Sequence, residues 1–463
     1  MSITRRNFLT QTSLGAGLGV GLGLTWPIRV FAMPVPARAT QLHAGPMGGY
    51  PAQRSASIWL QTLGPAEVKI AYWPENQPQL RAFSGLSVTS AREFYTALVT
   101  LDNLVPGTTY HTEIHLDGKV MNSQNFLVRT PAIWQWRHSA PDFKVLTGSC
   151  AYINDPQYDR PGKAYGGGYE IYDPMTAEAA EMMIWLGDNL YFREADIQSP
   201  AGMAMRYWTD RSFPPLQKFL QSTRQIAIWD DHDYGANDSD GSFVLKESAL
   251  RLFENYWANP GYGLPGTPGV FTQCTLNDAD FFLLDDRWYR DADAAPLSRG
   301  KQMFGKVQMD WLKNALLSSR AHFKIIAAGG QLFNDDDAYE GWNLYPEERQ
   351  DFMDWLQNNH IKGLLFLSGD RHISELMRRP RPRYSGKHDY PLWELTSSPL
   401  NSSPARGDAN PYRVPGTLVE ARNYCSIAFL GKGPNRHLLL SCKSTAGKTL
   451  WEHPISSVEL GYT

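Results

Sequence analysis

Three textures of apolar and polar positions follow one another along the chain. An apolar, glycine-rich stretch from Leu14 to Trp26 carries no charged residue. It falls short of the ~20 apolar residues that a membrane-spanning helix needs. From about residue 41 to 137, apolar and polar positions partly alternate, as in Ser57-Ile58-Trp59-Leu60-Gln61 and Val68-Lys69-Ile70-Ala71-Tyr72-Trp73. A period of two is that of half-buried strands. From about residue 141, short wholly apolar runs alternate with helical spacing, which predicts an α/β layered region. Gln308, Trp311, Leu312, Ala315 and Leu316 recur at helical intervals, as do Phe352, Trp355 and Leu356. Asp173-Pro174 predicts a helix start, with a capping carboxylate and proline at the first helical position, running through Thr176 to Glu181.

In the alternating region, Leu104-Val105-Pro106-Gly107-Thr108-Thr109-Tyr110 reads as a turn followed by a strand tyrosine. It resembles the tyrosine corner of immunoglobulin-like and fibronectin type III sandwiches. The Asp117-Gly118 turn and the strand ending Phe126-Leu127-Val128-Arg129-Thr130-Pro131 complete a small all-β sandwich with no evident chemistry.

The 463 residues are enough for two cores, and 42% hydrophobic with 20% charged residues is a globular composition. A net charge of −3 gives no bulk attraction for nucleic acid, so no such partner is expected. Thr4-Arg5-Arg6-Asn7-Phe8-Leu9 ahead of the apolar stretch reads as a twin-arginine export signal. Cleavage is expected after Ala32, with Ala37-Arg38-Ala39 as a second option. The expected partner during export is the twin-arginine translocase, and the destination is the periplasm or the medium. No later segment approaches spanning length, so no membrane span is expected in the mature form. The expected domains are therefore residues 1–32 as signal, 41–137 as β-sandwich and 141–463 as catalytic region. Four cysteines remain, Cys150, Cys274, Cys425 and Cys442. Counting back from Gly431-Lys432-Gly433-Pro434-Asn435 sets Cys425 opposite Cys442, either as a disulfide or as two small core residues.

The chemistry sits where apolar runs stop. Phe143-Lys144-Val145-Leu146-Thr147 leads into Gly148-Ser149-Cys150, and Met183-Ile184-Trp185-Leu186 into Gly187-Asp188-Asn189-Leu190-Tyr191. Gln225-Ile226-Ala227-Ile228-Trp229 leads into Asp230-Asp231-His232-Asp233, and Leu364-Leu365-Phe366-Leu367 into Ser368-Gly369-Asp370-Arg371-His372. Open α/β sheets bind ligands beyond the carboxyl ends of their strands, so these four ends can converge. An isolated aspartate there often caps a helix. Four donor-rich ends together, one with three carboxylates in four residues, predict a bound cation.

Gly187-Asp188-x-x-Tyr191, Asp231-His232 and Gly369-Asp370-x-His372 resemble the motif blocks of the calcineurin-like metallophosphatases. The tyrosine of the first block is shared with purple acid phosphatases. Together with Gly148-Ser149-Cys150 and Trp229-Asp230-Asp231-His232-Asp233, the set resembles the PhoD-type alkaline phosphatases over about residues 40 to 460. The resemblance implies a metallophosphatase α/β sandwich, two mixed sheets flanked by helices, preceded by the small all-β domain. It implies that Asp188 bridges two ions. Cys150, Tyr191 and His372 would complete a ferric iron site, and Asp231 and Asp370 would hold calcium or another divalent cation. Thiolate and phenolate suit ferric iron, and carboxylates suit calcium.

His232 and Arg371 are the implied catalytic residues. His232 would donate to the phosphoryl group. Arg371 would pair either with phosphate or with a neighbouring carboxylate. Asp285-Asp286-Arg287 is expected to form supporting pairs, and Asn237-Asp238-Ser239-Asp240-Gly241 to form a turn or supply a further ligand. The superfamily places a metal-binding histidine near Gly329-Gly330-Gln331, where this chain has none, and Gln331, Asn334 or a water would fill its place. The implied activity is two-metal hydrolysis of phosphate esters by an exported alkaline phosphatase or phosphodiesterase. A phospholipase-type diesterase is the nearest alternative. A non-catalytic binding protein with a structural cation is the alternative of another class.

Overall fold

The computed structural model describes residues 41–121, 126–296, 300–335, 339–380 and 390–462. The expected export signal lies outside them. Among the described residues, the N-terminal region forms β1 (Leu42–Pro51), β2 (Ala56–Thr62), β3 (Ala66–Pro74), β4 (Ala82–Phe83), β5 (Ser87–Thr89), β6 (Thr96–Leu101), β7 (Thr109–Leu116), β8 (Lys119–Val120) and β9 (Phe126–Arg129). One layer runs β4-β3-β7-β8, with β5 on β3 and β9 on β7. Its Val68, Ile70, Ile114 and Leu116 pack with Ile58, Leu60, Val99 and Leu101 of β2 and β6. Tyr110 stands as the corner: its hydroxyl accepts the Val105 N–H at 2.8 Å.

The second layer of this region does not stop at the region's end. β1 pairs in parallel with β12 (Arg224–Ile228) at Gly48 and Arg224. The strands β1, β2 and β6 thereby extend a sheet that also contains β10 (Phe143–Gly148) and β11 (Met182–Leu186). After β13 (Thr272–Leu276), β14 (Ala279–Leu283), β15 (Phe323–Ala327), β16 (Leu364–Ser368), β17 (Glu375–Arg379) and β18 (Leu392–Thr396), the chain returns as β19 (Asn423–Leu430), β20 (His437–Ser444) and β21 (Thr449–Ser456). The first sheet has nine strands in the order β21-β20-β19-β10-β11-β12-β1-β2-β6. The second has six, in the order β13-β14-β15-β16-β18-β17.

Both sheets are mixed. β10, β11 and β12 are mutually parallel, while β19 lies antiparallel to β10. In the second sheet β14, β15, β16 and β18 are parallel. Its central strands are buried on both faces, which explains their unbroken apolar runs. Alternation then sorts the side chains. Phe281, Ile325 and Leu365 enter the core shared with the first sheet. Phe282, Ile326 and Phe366 face the helices Lys306–Ser318 and Pro346–Asn358 through Leu312, Leu316, Phe352 and Leu356. This is the expected sandwich of two mixed sheets with helices outside.

The helix expected from Asp173 to Glu181 is shorter, Tyr172–Ala177, and Asp173 lies inside its first turn rather than capping it. The chain has to reverse before β11, and Ala179 takes a left-handed backbone (φ 50°) to do so. Cys425 and Cys442 are register partners on β19 and β20, buried as two free thiols. No helix among the described residues is long and apolar enough to cross a membrane.

Ile325 is fully buried between the sheets. Replacing it with alanine is expected to cost about 2–5 kcal/mol of stability, read by equilibrium denaturation.

Candidate metal centre

The parallel strands β10, β11 and β12 of one sheet and β16 of the other bring their carboxyl ends together. Each strand hands over to a donor-bearing turn, and close approach requires glycine in two of them. A Cβ on Gly187 (φ 87°) would lie 2.4 Å from Asp230 Cβ, and one on Gly369 would lie 2.6 Å from Ser149 Oγ. Four candidate ligands adopt left-handed backbones: Cys150 (φ 59°), Asp188 (φ 51°), Asp370 (φ 61°) and His372 (φ 54°). Such conformations are costly for non-glycine residues and persist where surrounding structure enforces them, typically at functional sites.

Asp188, 1% exposed, is the hub. Its Oδ2 accepts the Tyr191 hydroxyl at 2.8 Å and lies 3.5 Å from Cys150 Sγ. Its Oδ1 accepts the His232 backbone N–H at 3.2 Å. Tyr191 Oη also stands 3.1 Å from His372 Nε2. The other imidazole nitrogen, Nδ1, lies 2.7 Å from the Ser403 carbonyl. Donation to that carbonyl leaves Nε2 free to bind an ion. Donor atoms within 4.8 Å of one another form three overlapping groups among the described residues: Cys150, Asp188 and His372; Asp188, Asp231 and His232; and Asp231, Asp238 and Glu340. Asp188 belongs to the first two groups, and Asp231 to the last two.

Asp370 meets this cluster through its carbonyl, 3.5 Å from Cys150 Sγ. Its carboxylate is outside the three groups. Arg371 forms an ion pair with Asp408 and lies 4.1 Å from the centre of the Tyr339 ring. Of its two expected roles, the structure displays the carboxylate pairing. Gln331 donates to Glu375 and Thr396 at 2.8 and 2.9 Å, and its oxygen accepts from Asn334. Gln331 thus links Asn334 to Glu375 and Thr396.

Buried arginines stand at the acidic edge, where Arg290 Nη2 lies 3.8 Å from Glu340 Oε1. Arg287, wholly buried, donates through Nε to Asp230 at 2.6 Å and through Nη1 and Nη2 to Glu340 at 2.6 and 3.0 Å. Its Nη2 is 3.9 Å from Asp231 Oδ1. Asp286 accepts the N–H groups of Gly329 and Gly330 at 3.0 and 3.1 Å, and Asp285 accepts the Trp229 indole N–H at 2.9 Å. These guanidinium groups leave part of the set unsatisfied. Asp230 Oδ2, Asp231 Oδ1 and Asp286 Oδ1 are buried without a hydrogen-bond partner. Burial, with the Asp231 charge adding to it, drives the Asp188 carboxyl far above the usual carboxylate range. Burial likewise pushes Asp233 up to about 7 and the Cys150 thiol up to about 11. Orphaned carboxylate oxygens and a buried thiol beside them fit bound cations, which would restore the charged forms.

Sequence reasoning reached Asp188, Asp231, His232 and the Cys150–Tyr191–His372 cluster through the strand ends. Glu340 and Ser398 escaped it. Glu340 lies in a loop without periodicity. Ser398 follows β18, and no serine in that position advertises a metal site.

The comparisons with known proteins agree with this geometry. The PhoD-like phosphatase model matches residues 145–426, and a domain of unknown function matches residues 39–130. The chain is 22% identical to alkaline phosphatase D of Bacillus subtilis (strain 168), over 80% of this chain and 71% of that one. The solved structure of PhoD superposes with a TM-score of 0.69 at 18% identity, covering 89% of this chain and 91% of that one. A purple acid phosphatase from yellow lupin (Lupinus luteus) seeds superposes at 0.61 and 12% identity, covering 89% and 74%. A hydrolase of the metallophosphatase fold is thereby defined, acting on phosphoric esters. The chain belongs to the PhoD-like phosphatase family. Its metallophosphatase relatives imply divalent metal ions.

Replacing Arg287 with methionine removes the cation bonded to buried Asp230 and leaves Glu340 only the more distant Arg290, 3.8 Å away. The expected loss is about 3–5 kcal/mol, measured by denaturant titration. A loss within experimental error would show that the pairs carry no net stability.

Proposed function

We propose that the chain is an exported alkaline phosphatase or phosphodiesterase whose ions share Asp188. The observation that carries this reading is the division of Asp188, with Oδ2 toward Cys150 and Tyr191 and Oδ1 toward the His232 backbone. Cys150, Asp188, Tyr191 and His372 would hold ferric iron. Asp188, Asp231 and Asp370 would hold calcium or another divalent cation, with Asp238 and Glu340 near enough to Asp231 to add donors. Residues 1–32 would be a twin-arginine signal removed on export. Residues 41–137 and 141–463 would be the sandwich and catalytic domains.

When bound, the cations supply Lewis acidity and positive charge at the phosphoryl group. The protein's own part is placement. The His232 ring lies against Tyr191, with centroids 4.1 Å apart, and its Nε2 is 3.8 Å from Asp231 Oδ2. Burial lowers its pKa, and a neutral imidazole still donates one N–H. That donor is assigned to an equatorial or leaving oxygen of the substrate. His372 is held in one tautomer by Ser403, and Tyr191 is held between Asp188 and His372. The paired Arg371 would brace Asp408. Phosphoryl transfer asks for positioning and charge more than covalent chemistry, which suits this set.

The test is hydrolysis of para-nitrophenyl phosphate against its bis-ester, with Asp188→Asn as control. Turnover lost in the control supports the reading, and the ratio of the two rates selects monoesterase or diesterase. Turnover retained by Asp188→Asn would overturn the shared-ligand role. The same variant is expected to lose both metals by elemental analysis. His232→Ala is expected to lower turnover by roughly 10²–10⁴-fold with metals retained. Unchanged turnover would remove His232 from the mechanism.

A further inference from the structure

We propose that Ser398 is a positioning residue that tunes the Cys150 sulfur as a metal donor while holding His372 in place. The inference rests on the ligand set proposed above. Ser398 lies just beyond β18 and is wholly buried. Its Oγ accepts the His372 backbone N–H at 3.0 Å and donates to Cys150 Sγ at 3.0 Å. One hydroxyl therefore joins two candidate ligands of the same ion. Accepting from His372 directs the hydroxyl hydrogen elsewhere, and among the described residues Cys150 is the acceptor it reaches.

The backbone of Ser398 is fixed independently. Its N–H donates to Ser374 Oγ at 3.0 Å, and its carbonyl accepts from Asn423 Nδ2 at 2.9 Å. Ser374 Oγ in turn donates to Asn423 Oδ1 at 2.6 Å, closing the triangle. Of the other hydroxyls near the sulfur, that of Tyr191 donates to Asp188 Oδ2 at 2.8 Å, and that of Ser149 donates to the Ser397 carbonyl at 3.0 Å and lies 3.4 Å from Sγ. Ser398 is thus the short donor to the sulfur. Cys150 and His372 both carry left-handed backbones, which persist only when their surroundings enforce them.

A hydrogen bond to a thiolate withdraws electron density and weakens its donation to a metal. Hydrogen bonds to sulfur are among the levers a protein has over a metal site. Removal of this one is expected to strengthen donation by the sulfur and to loosen His372.

The experiment loads the full chain with ferric iron and records its absorption. The thiolate band is the one lost in Cys150→Ser. In Ser398→Ala that band is expected to move to longer wavelength, and iron affinity to fall by about 10-fold or more. Ser398→Thr keeps the hydroxyl and is expected to return the band toward its wild-type position. The control is Ser397→Ala. It removes an equally buried hydroxyl that donates to the Thr147 carbonyl at 3.0 Å, and it is expected to leave the band in place. Should Ser398→Ala fail to fold, Ser398→Cys supplies a weaker donor and is expected to give a smaller shift in the same direction. An unmoved band in folded Ser398→Ala or Ser398→Cys overturns the inference, as does an equal shift in Ser397→Ala. A wild-type protein that binds iron without any thiolate band overturns the ligand set itself, and this inference with it.

Discussion

Arg287, inserted among the carboxylates at the strand ends, is the interaction on which the candidate centre depends. Asp188, Asp230, Asp231, Asp233, Asp285 and Asp286 are all buried. Adjacent buried carboxylates repel and lose hydration, so a fold that gathers them must supply positive charge and N–H donors. Arg287 joins Asp230 to Glu340, and backbone N–H groups satisfy Asp285 and one oxygen of Asp286. Oxygens of Asp230, Asp231 and Asp286 remain without hydrogen bonds. The cluster is therefore organised, incompletely neutralised and suited to cations.

The sheets explain why this organisation is rigid. β11 and β12 deliver Asp188 and the Asp230–Asp233 run in parallel and in register, Leu186 beside Ile228. β12 is also flanked by β1, so the N-terminal layer borders the strand that carries the acidic run. Side-chain bonds reinforce the seam: the Trp59 indole N–H donates to the Asn255 carbonyl at 2.7 Å, and Gln61 donates to the Tyr256 hydroxyl at 2.7 Å. A region without chemistry of its own thus buttresses one that has it.

Around the thiol, control passes from carboxylates to hydroxyls. Cys150 and His372 come from opposite sheets and meet at Ser398, whose position is held by Ser374 and Asn423. The acidic side of the centre is set by charge balance. The thiol side is set by directional hydrogen bonds, which are short-ranged and specific.

Local pattern determined much of this protein. Unbroken apolar runs marked β10, β11, β12 and β16, because strands buried on both faces admit few polar residues. The turns beyond them carried the candidate ligands Cys150, Asp188, Asp231, Asp370 and His372, at the carboxyl ends of strands where open α/β sheets bind ligands. Tyr110 and the pairing of Cys425 with Cys442 were also legible, being set by spacing within a hairpin or corner. Tertiary structure decided the remainder. The helix after Asp173 was cut short by the need to reach β11. The N-terminal layer joined the catalytic sheet through a single register pair that no local pattern encodes. Arg371 went to Asp408, and Arg287 found Glu340 across a loop. Ser398 acquired its place because β18 lies beside β16 and delivers an ordinary serine between two candidate ligands from distant strands. Hydrophobic period and turn chemistry act over a few residues and can be read in order. Charge pairing and hydrogen-bond direction act through space, and only the folded chain brings those partners together.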